Sequence, residues 1–414
     1  MCSMSRLKAL FIVIASAILV FAAVPSFAKK APKVITIGTL YASSGPFATS
    51  STPQYEGLKF WVSQVNKEGG VFVKAFNKKI PVKLVAYDDQ SKTATAGMLY
   101  NQLITRDHVD MLAADFGSVL TSVAVPLAKV HKVMLFDQTG TAAKFFTPDN
   151  PYVVLCSLPT SGKWPYALAD FMIAKKIPRV AILYASNDFD QSQAVTLHDK
   201  LVKAGIKPVY YQAVPTSTSN YSVLIHSIQA TKPDAVIEFG FPNNDIAFLQ
   251  GLQASGVKFK MVFTIFPGQL FELLEKNVGA KALYYTYTYP TPPLLKYEKV
   301  DLGMGLSQFE QAFKKETGKE VNFLNVAGYN TGLIMQKTLE TAPKFDQLAF
   351  RKAVTGFSGK LMTLDGKFEV DANGAQVGEM LPVAQFVPKG VGGIEMHIVY
   401  PPNMKTAEAV YPAP

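Results

Sequence analysis

Residues 110–117 read Asp-Met-Leu-Ala-Ala-Asp-Phe-Gly and residues 234–240 read Asp-Ala-Val-Ile-Glu-Phe-Gly, and a helical pattern follows each stretch. Each is a short apolar run that ends in an acid, a phenylalanine and a glycine. Such runs are typical of strands that are covered on both faces, as in a parallel sheet. Because this strand-to-helix plan occurs twice, the sequence predicts two α/β lobes that change over near residues 156–162.

Further apolar runs on both sides of these stretches alternate with helical patterns. Alternation of this kind predicts parallel sheets with right-handed crossovers, that is, two Rossmann-like lobes of the α/β class. The first helix is expected to have Thr52 as its N-cap and Pro53 in its first turn. Helical patterns resume over 307–356, and strands and turns follow over 360–399. The predicted strands are 34–40, 82–86, 109–114, 133–136, 180–185, 209–214, 235–239 and 260–265.

The N-terminus has the pattern of an export signal. Arg6 and Lys8 precede an apolar run over 9–24, and Ser26-Phe27-Ala28 offers small residues for cleavage near Ala28. We therefore expect residues 1–28 to be a signal peptide that is removed, and the mature protein to be periplasmic.

The composition predicts a well-packed globular protein, with 49% hydrophobic and 17% charged residues. The formal charge is +10, but the lysines are scattered and form no long run, so no nucleic-acid partner is expected. Cys2 leaves with the signal, which leaves Cys156 alone and excludes an internal disulfide in the mature chain. We expect Cys156 to be a buried apolar residue and the protein to be a monomer.

The segments after the predicted strands have a shared character that indicates a binding cleft. Ligands of open parallel sheets bind outside the carboxyl ends of the strands. Small hydroxyl side chains predominate there in the first lobe, and aromatic rings and amides in the second. Ser118 precedes a predicted helix over 119–130, whose free backbone N–H groups favour a carboxylate. The candidate ligand-binding residues are Tyr41, Phe116, Gly117, Ser118, Thr139, Thr141, Phe189, Phe241, Asp245 and Phe266.

No pattern of an enzyme is present in the sequence. It contains no nucleophile elbow, phosphate loop, metal-spaced histidine pair or cysteine cluster, and its five histidines are dispersed. We therefore predict no catalytic residue, no metal and no cofactor.

Short segments spread in order over nearly the whole mature chain give it a family resemblance. They include Ile-Gly-Thr-Leu-Tyr-Ala-Ser-Ser-Gly-Pro at 37–46, Asn-Lys-Glu-Gly-Gly at 66–70, Tyr-Asp-Asp at 87–89, Asn-Pro-Tyr at 150–152 and Ala-Phe-Leu-Gln-Gly-Leu-Gln-Ala-Ser-Gly at 247–256. As a set they resemble branched-chain-amino-acid-type (type I) periplasmic solute-binding proteins of ABC importers.

The resemblance implies two Rossmann-like lobes that are joined by a three-segment hinge, close on a solute and then dock on membrane permease subunits. It implies an N-terminal lobe of 29–157 and 291–362, and a C-terminal lobe of 158–290 and 363–414. A ligand sensor on the same fold, signalling to a partner protein, is the alternative.

Site residues carry over from the family only in part. The resemblance implies that Gly117 and Ser118 hold the ligand carboxylate and that Thr141 helps to hold both ends of the ligand. It also implies that Phe189 and Phe241 pack on the body of the ligand. Family members that bind amino acids usually have an acid after the strand that corresponds to 260–265. This chain has Thr-Ile-Phe-Pro at 264–267 instead.

The missing acid leaves two alternatives for the ligand, because a desolvated ammonium without a carboxylate partner costs several kcal/mol. In one, Asp188 or Asp245 reaches into the site and holds an amino acid. In the other, the ligand is an aromatic or aliphatic carboxylate without an amine.

Overall fold

The computed structural model describes residues 30–291 and 294–414. The predicted signal peptide at 1–28 lies outside the described residues. Within the described ranges, no helix is long and apolar enough to cross a membrane.

The strands form two large sheets and two small hairpins. In chain order the strands are β1 Ile35–Tyr41, β2 Val71–Val73, β3 Lys78–Ile80, β4 Val82–Asp88, β5 Met111–Ala113, β6 Leu135–Asp137, β7 Val153–Leu155, β8 Val180–Ala185, β9 Tyr210–Val214, β10 Ala235–Phe239, β11 Met261–Phe263, β12 Thr286–Thr288, β13 Leu361–Thr363, β14 Gly366–Phe368, β15 Val383–Lys389 and β16 Gly393–Tyr400.

The helices follow the strands in the alternation that the sequence predicts. They are α1 Ala48–Lys67, α2 Thr93–Thr105, α3 Gly117–Thr121, α4 Ala124–His131, α5 Tyr166–Ala174, α6 Asp188–Lys203, α7 Ser222–Ala230, α8 Pro242–Ser255, α9 Phe271–Val278, α10 Ala280–Leu283, α11 Leu306–Thr317, α12 Phe323–Thr341 and α13 Gln347–Phe357.

The first sheet has the order β4-β1-β5-β6-β7, and all its strands are parallel. Helices α1, α2, α4 and α12 pack on it, and we call this assembly the first lobe. Strands β5, β6 and β7 are fully buried, which explains their nearly continuous apolar sequences, whereas the edge strand β4 is mostly half-buried.

The second sheet has the order β16-β15-β12-β11-β10-β8-β9. Its five strands from β12 to β9 are parallel, and β15 and β16 add an antiparallel edge. Helices α5, α6 and α8 pack on this sheet, and we call this assembly the second lobe. The two parallel sheets confirm the predicted α/β class.

Close helix packing joins distant parts of the chain in the first lobe. A Cβ on Gly328 of α12 would lie 2.0 Å from the backbone oxygen of Gln54 in α1, and a Cβ on Gly57 would lie 2.1 Å from the backbone oxygen of Asn325. Only glycine permits this approach at either position. The two helices therefore meet backbone to backbone.

The eight predicted strands are confirmed as β1, β4, β5, β6, β8, β9, β10 and β11, with ends within two residues of the prediction. The predicted start of the first helix is wrong. Helix α1 begins at Ala48, Pro53 lies inside it, and Thr52 uses its hydroxyl to donate to the backbone oxygen of Ala42 at 3.1 Å. The helix predicted over 119–130 is two helices, α3 and α4, of which α3 has only five residues.

The chain passes between the two sheets three times: after β7, after β12 and before β15. The lobe boundaries stay a prediction. The backbone N–H of Leu155 in β7 donates to Gly374 at 2.9 Å, and Ser157 donates to Asp365 at 2.5 Å. These bonds favour a third crossing after Gly374 over the expected crossing at 362–363.

Candidate functional site between the two sheets

A cavity lies between the carboxyl ends of the strands of the two lobes. The first lobe contributes residues that follow β5 and β6, and the second lobe contributes residues that follow β8, β10 and β11. In open α/β sheets, ligands bind outside the carboxyl ends of the parallel strands, which is where this cavity lies. The lining residues are Phe116, Gly117, Thr139, Thr141, Leu158, Trp164, Phe189, Phe241, Phe266 and Phe323.

Seven of the candidate residues line this cavity: Phe116, Gly117, Thr139, Thr141, Phe189, Phe241 and Phe266. Ser118 lies beside it, where its hydroxyl oxygen accepts from the backbone N–H of Ala142 at 3.1 Å. Tyr41 lies away from it, stacked on Tyr55 with 4.8 Å between ring centroids. Ser118 therefore supports the Thr141 loop, and Tyr41 belongs to the surface of the first lobe.

Threonine hydroxyls form the polar wall of the cavity, on the first lobe. Thr139 donates from its hydroxyl to the Gln54 side-chain oxygen at 2.6 Å and accepts from Gly117 N at 3.0 Å. The Thr141 hydroxyl is buried and has no hydrogen-bond partner among the described residues. A buried hydroxyl without a partner is costly, so Thr141 is the group in this wall that is available to a polar ligand atom.

The opposite wall, on the second lobe, is aromatic. Phe189 and Phe241 stack with 5.5 Å between centroids and 23° between planes. Trp164 stands edge-on to Phe189 at 5.0 Å, and Phe266 lies 6.3 Å from Phe189. Phe323, at the start of α12, extends this surface from Phe266 at 6.1 Å. Such a wall contacts flat or branched apolar groups over a large area.

Apolar and polar contacts join the two lobes around the cavity. Phe47 of the first lobe packs edge-on against Phe241 at 5.3 Å. Beside it, Asn243 donates from its side-chain amide to the backbone oxygen of Pro46 at 2.9 Å. Lys144 and Asp188 form an ion pair at 2.6 Å.

Gly117 allows the two lobes to approach closely. Its φ of +70° is the left-handed conformation that favours glycine, and a Cβ at this position would lie 3.5 Å from the Phe241 ring. A side chain here would be strained by this backbone conformation, and its Cβ would be in van der Waals contact with that ring. The backbone of one lobe therefore faces a ring of the other.

The two acids proposed as amine partners do not line the cavity. Asp188 is paired with Lys144, and Asp245 is fully buried behind the aromatic wall, where its carboxylate accepts from Phe266 N at 2.7 Å. Burial, and then the neighbouring Glu238, raise the pKa of Asp245 well above its usual range. Asp245 therefore supports the backbone of Phe266.

Buried acids also lie behind the first wall. Asp115 accepts from Phe116 N at 2.6 Å, and Asp137 accepts from Gly140 N at 2.6 Å. Burial raises the pKa of both carboxyl groups well above the usual range. These acids fix the loops of the wall and offer no exposed charge to the cavity.

The cavity is small, and contacts between the two lobes surround it. The volume accessible to the centre of a water molecule is about 20 Å3, which is enough for about one water. A larger solute therefore requires the two walls to separate. A more open cavity of about 420 Å3 lies elsewhere, where Val257, Phe259 and Tyr284 line the amino ends of β11 and β12. It is at the opposite end of these strands from the lobe interface.

Sequence reasoning missed Leu158, Trp164 and Phe323. Trp164 is one of two tryptophans in the chain, and a rare large ring between two predicted lobes was a usable signal. Phe323 follows Asn322, whose side chain caps α12 by accepting from Leu324 N at 3.0 Å. An aromatic residue at a capped helix start was visible in the sequence, but its position at the cavity was not.

Two sheets of parallel strands that face each other across a cavity define a two-lobed solute-binding protein. The sequence profile of the periplasmic binding protein family matches residues 34–390. The chain therefore belongs to the periplasmic binding protein family, and its fold is the type I fold, as the resemblance predicted.

Known relatives share the architecture at low sequence identity. The Leu/Ile/Val-binding protein homolog 7 of Brucella abortus is 23% identical over 346 residues, covering 81% of this chain and 84% of that protein. A leucine-binding protein of Thermotoga maritima has a TM-score of 0.75 at 17% identity, covering 89% of this chain and 99% of the other. An ABC-transporter solute-binding protein of Rhodopseudomonas palustris, solved with 3,4-dihydroxybenzoic acid, has a TM-score of 0.72 at 18% identity, covering 92% and 99%.

Proposed function

We propose that this chain is the extracytoplasmic solute-binding subunit of an ABC importer and that its solute is a small carboxylate without an ammonium group. One observation carries the choice of solute. The lining consists of threonine hydroxyls, backbone, aliphatic and aromatic groups, with no carboxylate among the lining residues of the described cavity. An ammonium group would lose its water there and gain no charged partner.

Both acids that could serve as the ammonium partner of an amino acid are engaged elsewhere. Asp188 pairs with Lys144, and Asp245 bonds to Phe266 N behind the wall. Releasing Asp245 would leave that buried N–H without its acceptor. A carboxylate end, in contrast, has the unpartnered Thr141 hydroxyl as a donor, and an aromatic or branched body suits the rings of the second lobe.

The known proteins include both ligand classes, and the lining favours the amine-free class. The Brucella abortus relative is named for leucine, isoleucine and valine, and the Rhodopseudomonas palustris protein holds an aromatic acid. Solute binds between the separated lobes, and contacts with both walls favour the closed state, which then docks on permease subunits. This role is binding and delivery without catalysis.

Paired ligands test the solute class in the mature protein. Leucine is compared with isocaproate and phenylalanine with phenylpropanoate, each pair differing only in the amine. A ligand at about 100 times its Kd stabilises the protein by about 2.7 kcal/mol. We expect the melting temperature to rise with the amine-free acids and to stay constant with the amino acids. The opposite pattern would refute the proposed class.

A substitution locates the carboxylate end. Thr141→Val removes the hydroxyl and keeps the shape, so we expect at least a severalfold weaker affinity for phenylpropanoate by calorimetry. Thr338→Val is the matched control, because this buried hydroxyl donates within α12 to Ile334 at 2.7 Å, away from the cavity. Equal affinity of the Thr141 variant and the wild type would remove Thr141 from the site.

A further inference from the structure

A group of buried polar side chains has no hydrogen-bond partner among the described residues. The Gln269 amide oxygen and nitrogen, the Tyr289 hydroxyl and the hydroxyls of Thr264 and Thr291 all belong to it. Gln269 is 1% exposed and Tyr289 and Thr264 are 0% exposed, so bulk water does not satisfy them. Native proteins rarely leave such groups without partners.

The group is gathered at the carboxyl ends of two neighbouring strands. Thr264 follows β11 and Tyr289 follows β12, which are parallel and adjacent. The loop after β11 is tied to β12, because Thr264 N donates to Tyr287 at 3.1 Å and Gly268 N donates to the Thr288 hydroxyl at 3.0 Å. These strand ends form part of the edge where the ligand cavity lies.

Two members of the group touch the wall of that cavity from behind. The Tyr289 ring packs edge-on against Trp164 with 5.7 Å between centroids. Gln269 N donates to the backbone oxygen of Phe266 at 2.9 Å. Trp164 and Phe266 both line the cavity. The Tyr289 ring is thus in direct contact with one lining residue, and the backbone of Gln269 is bonded to another.

Their chemistry is uncharged and directional. A glutamine amide offers two donors and one acceptor, and a tyrosine hydroxyl offers a donor and an acceptor. Burial raises the pKa of Tyr289 well above its usual range, so the hydroxyl keeps its proton. Groups of this kind recognise a hydroxyl or a carbonyl and gain nothing from a plain hydrocarbon.

We propose that Gln269 and Tyr289 form a second, uncharged polar subsite that binds a hydroxyl or carbonyl substituent at the end of the solute remote from its carboxylate. The substituent reaches them between Trp164 and Phe266. This inference rests on the proposed function, since it requires an amine-free acid in the cavity. It narrows the solute class to acids that carry a polar group at the far end of an apolar body.

The test compares two acids that differ by one hydroxyl, phenylpropanoate and para-hydroxyphenylpropanoate, by calorimetry on the mature protein. We expect the wild type to bind the hydroxylated acid about tenfold or more tightly, a factor that equals about 1.4 kcal/mol. Tyr289→Phe and Gln269→Met remove the polar atoms and nearly keep the volumes. Each should reduce the preference and leave the affinity for phenylpropanoate within about twofold.

Tyr287→Phe is the control variant, because the Tyr287 hydroxyl, two residues away, already donates to Val410 at 3.0 Å. It should keep the wild-type preference. The subsite would be overturned if the wild type bound both acids equally, or if the Tyr289 and Gln269 variants kept the full preference for the hydroxylated acid. Binding of phenylpropanoate would still support the proposed solute class in that case. Failure of both acids to bind would overturn the solute class and the subsite together.

Discussion

The two walls of the cavity begin from the same local pattern and use it differently. In the first lobe, Asp115-Phe116-Gly117 places Phe116 and Gly117 directly in the cavity. In the second lobe, Glu238-Phe239-Gly240 lies behind the wall, Phe239 packs in the core against Phe263 at 5.9 Å, and the lining ring is Phe241. The shared plan fixes the strand and the buried acid, but each loop decides which residue meets the solute.

Phe241 is the point where the walls meet, so its loss should have the largest effect. Its ring contacts Phe47, Phe116 and Phe189 at 5.3, 5.9 and 5.5 Å. Phe241→Ala should lower the free energy of unfolding by about 3–5 kcal/mol, because it empties a packed site. Urea unfolding measures this.

Phe72→Ala is the matched control for that variant, since Phe72 in β2 is 36% exposed. It should change the free energy of unfolding far less. Equal losses in the two variants would show that Phe241 contributes no more than a surface ring.

The buried acids make the two walls alike in their response to pH. Burial raises the pKa of Glu238 from 4.5 to about 7. Between these values the folded state keeps a proton that the unfolded state releases, so stability falls as pH rises, by about 1.4 kcal/mol per pH unit for such a group. Glu238→Gln should flatten the profile of unfolding free energy from pH 4.5 to 7.

Asp115→Asn in the first wall should flatten the profile in the same direction, because burial raises the pKa of that carboxyl as well. Asp149→Asn is the control, since Asp149 lies at the surface and pairs with Lys129. An unchanged slope in both wall variants would contradict the assignment of these acids as protonated in the folded state.

Asn243 links the two walls with a single hydrogen bond, so its loss should act on closure and leave each lobe intact. Asn243→Ala removes the 2.9 Å bond to Pro46, which is worth about 0.5–1.5 kcal/mol. We expect a severalfold weaker solute affinity by calorimetry at an unchanged urea midpoint. Asn101→Ala, on the exposed surface of α2, should leave both quantities unchanged, and a lowered midpoint in the Asn243 variant would show a role within one lobe.

The Lys144–Asp188 pair should have the smallest effect. Its side chains are 62% and 44% exposed, and exposed pairs contribute less than about 1 kcal/mol. A double-mutant cycle with alanine at each position, read on solute affinity, should give a small coupling that disappears at high salt. As the control, the Lys129–Asp149 pair within the first lobe should show no coupling in solute affinity. A large coupling at Lys144–Asp188 that persists at high salt would contradict its assignment as a weak, exposed ion pair.

The strands were most readily predictable where they are buried on both faces, which leaves an unbroken apolar run such as 180–185 in the sequence. Helix ends were less predictable. Thr52 and Pro53 form a good start signal locally, but the hydroxyl of Thr52 bonds to Ala42, and packing extends α1 back to Ala48.

The candidate site was predictable where it follows a strand directly, as at Thr139, Thr141 and Phe189. It was not predictable where tertiary contacts decide. Asp188 and Asp245 are acids in loops after predicted strands, so their sequence positions suit an ammonium partner. In the structure Asp188 pairs with Lys144 across the lobes, and Asp245 is enclosed behind Phe266. Phe323 reaches the cavity from a helix that is distant in sequence, and no local pattern carries that information.

The backbone contact between α1 and α12 has a consequence for the order of folding. Gly57 and Gly328 each meet the backbone of the other helix but are separated by most of the chain, so the first lobe lacks a core helix until the second lobe has been synthesised. The α/β units of the second lobe, in contrast, form a sheet from contiguous sequence between β8 and β12. Long-range contacts form slowly because a large loop must close first. The N-terminal half of this protein should therefore be the last to become resistant to proteolysis as the chain folds.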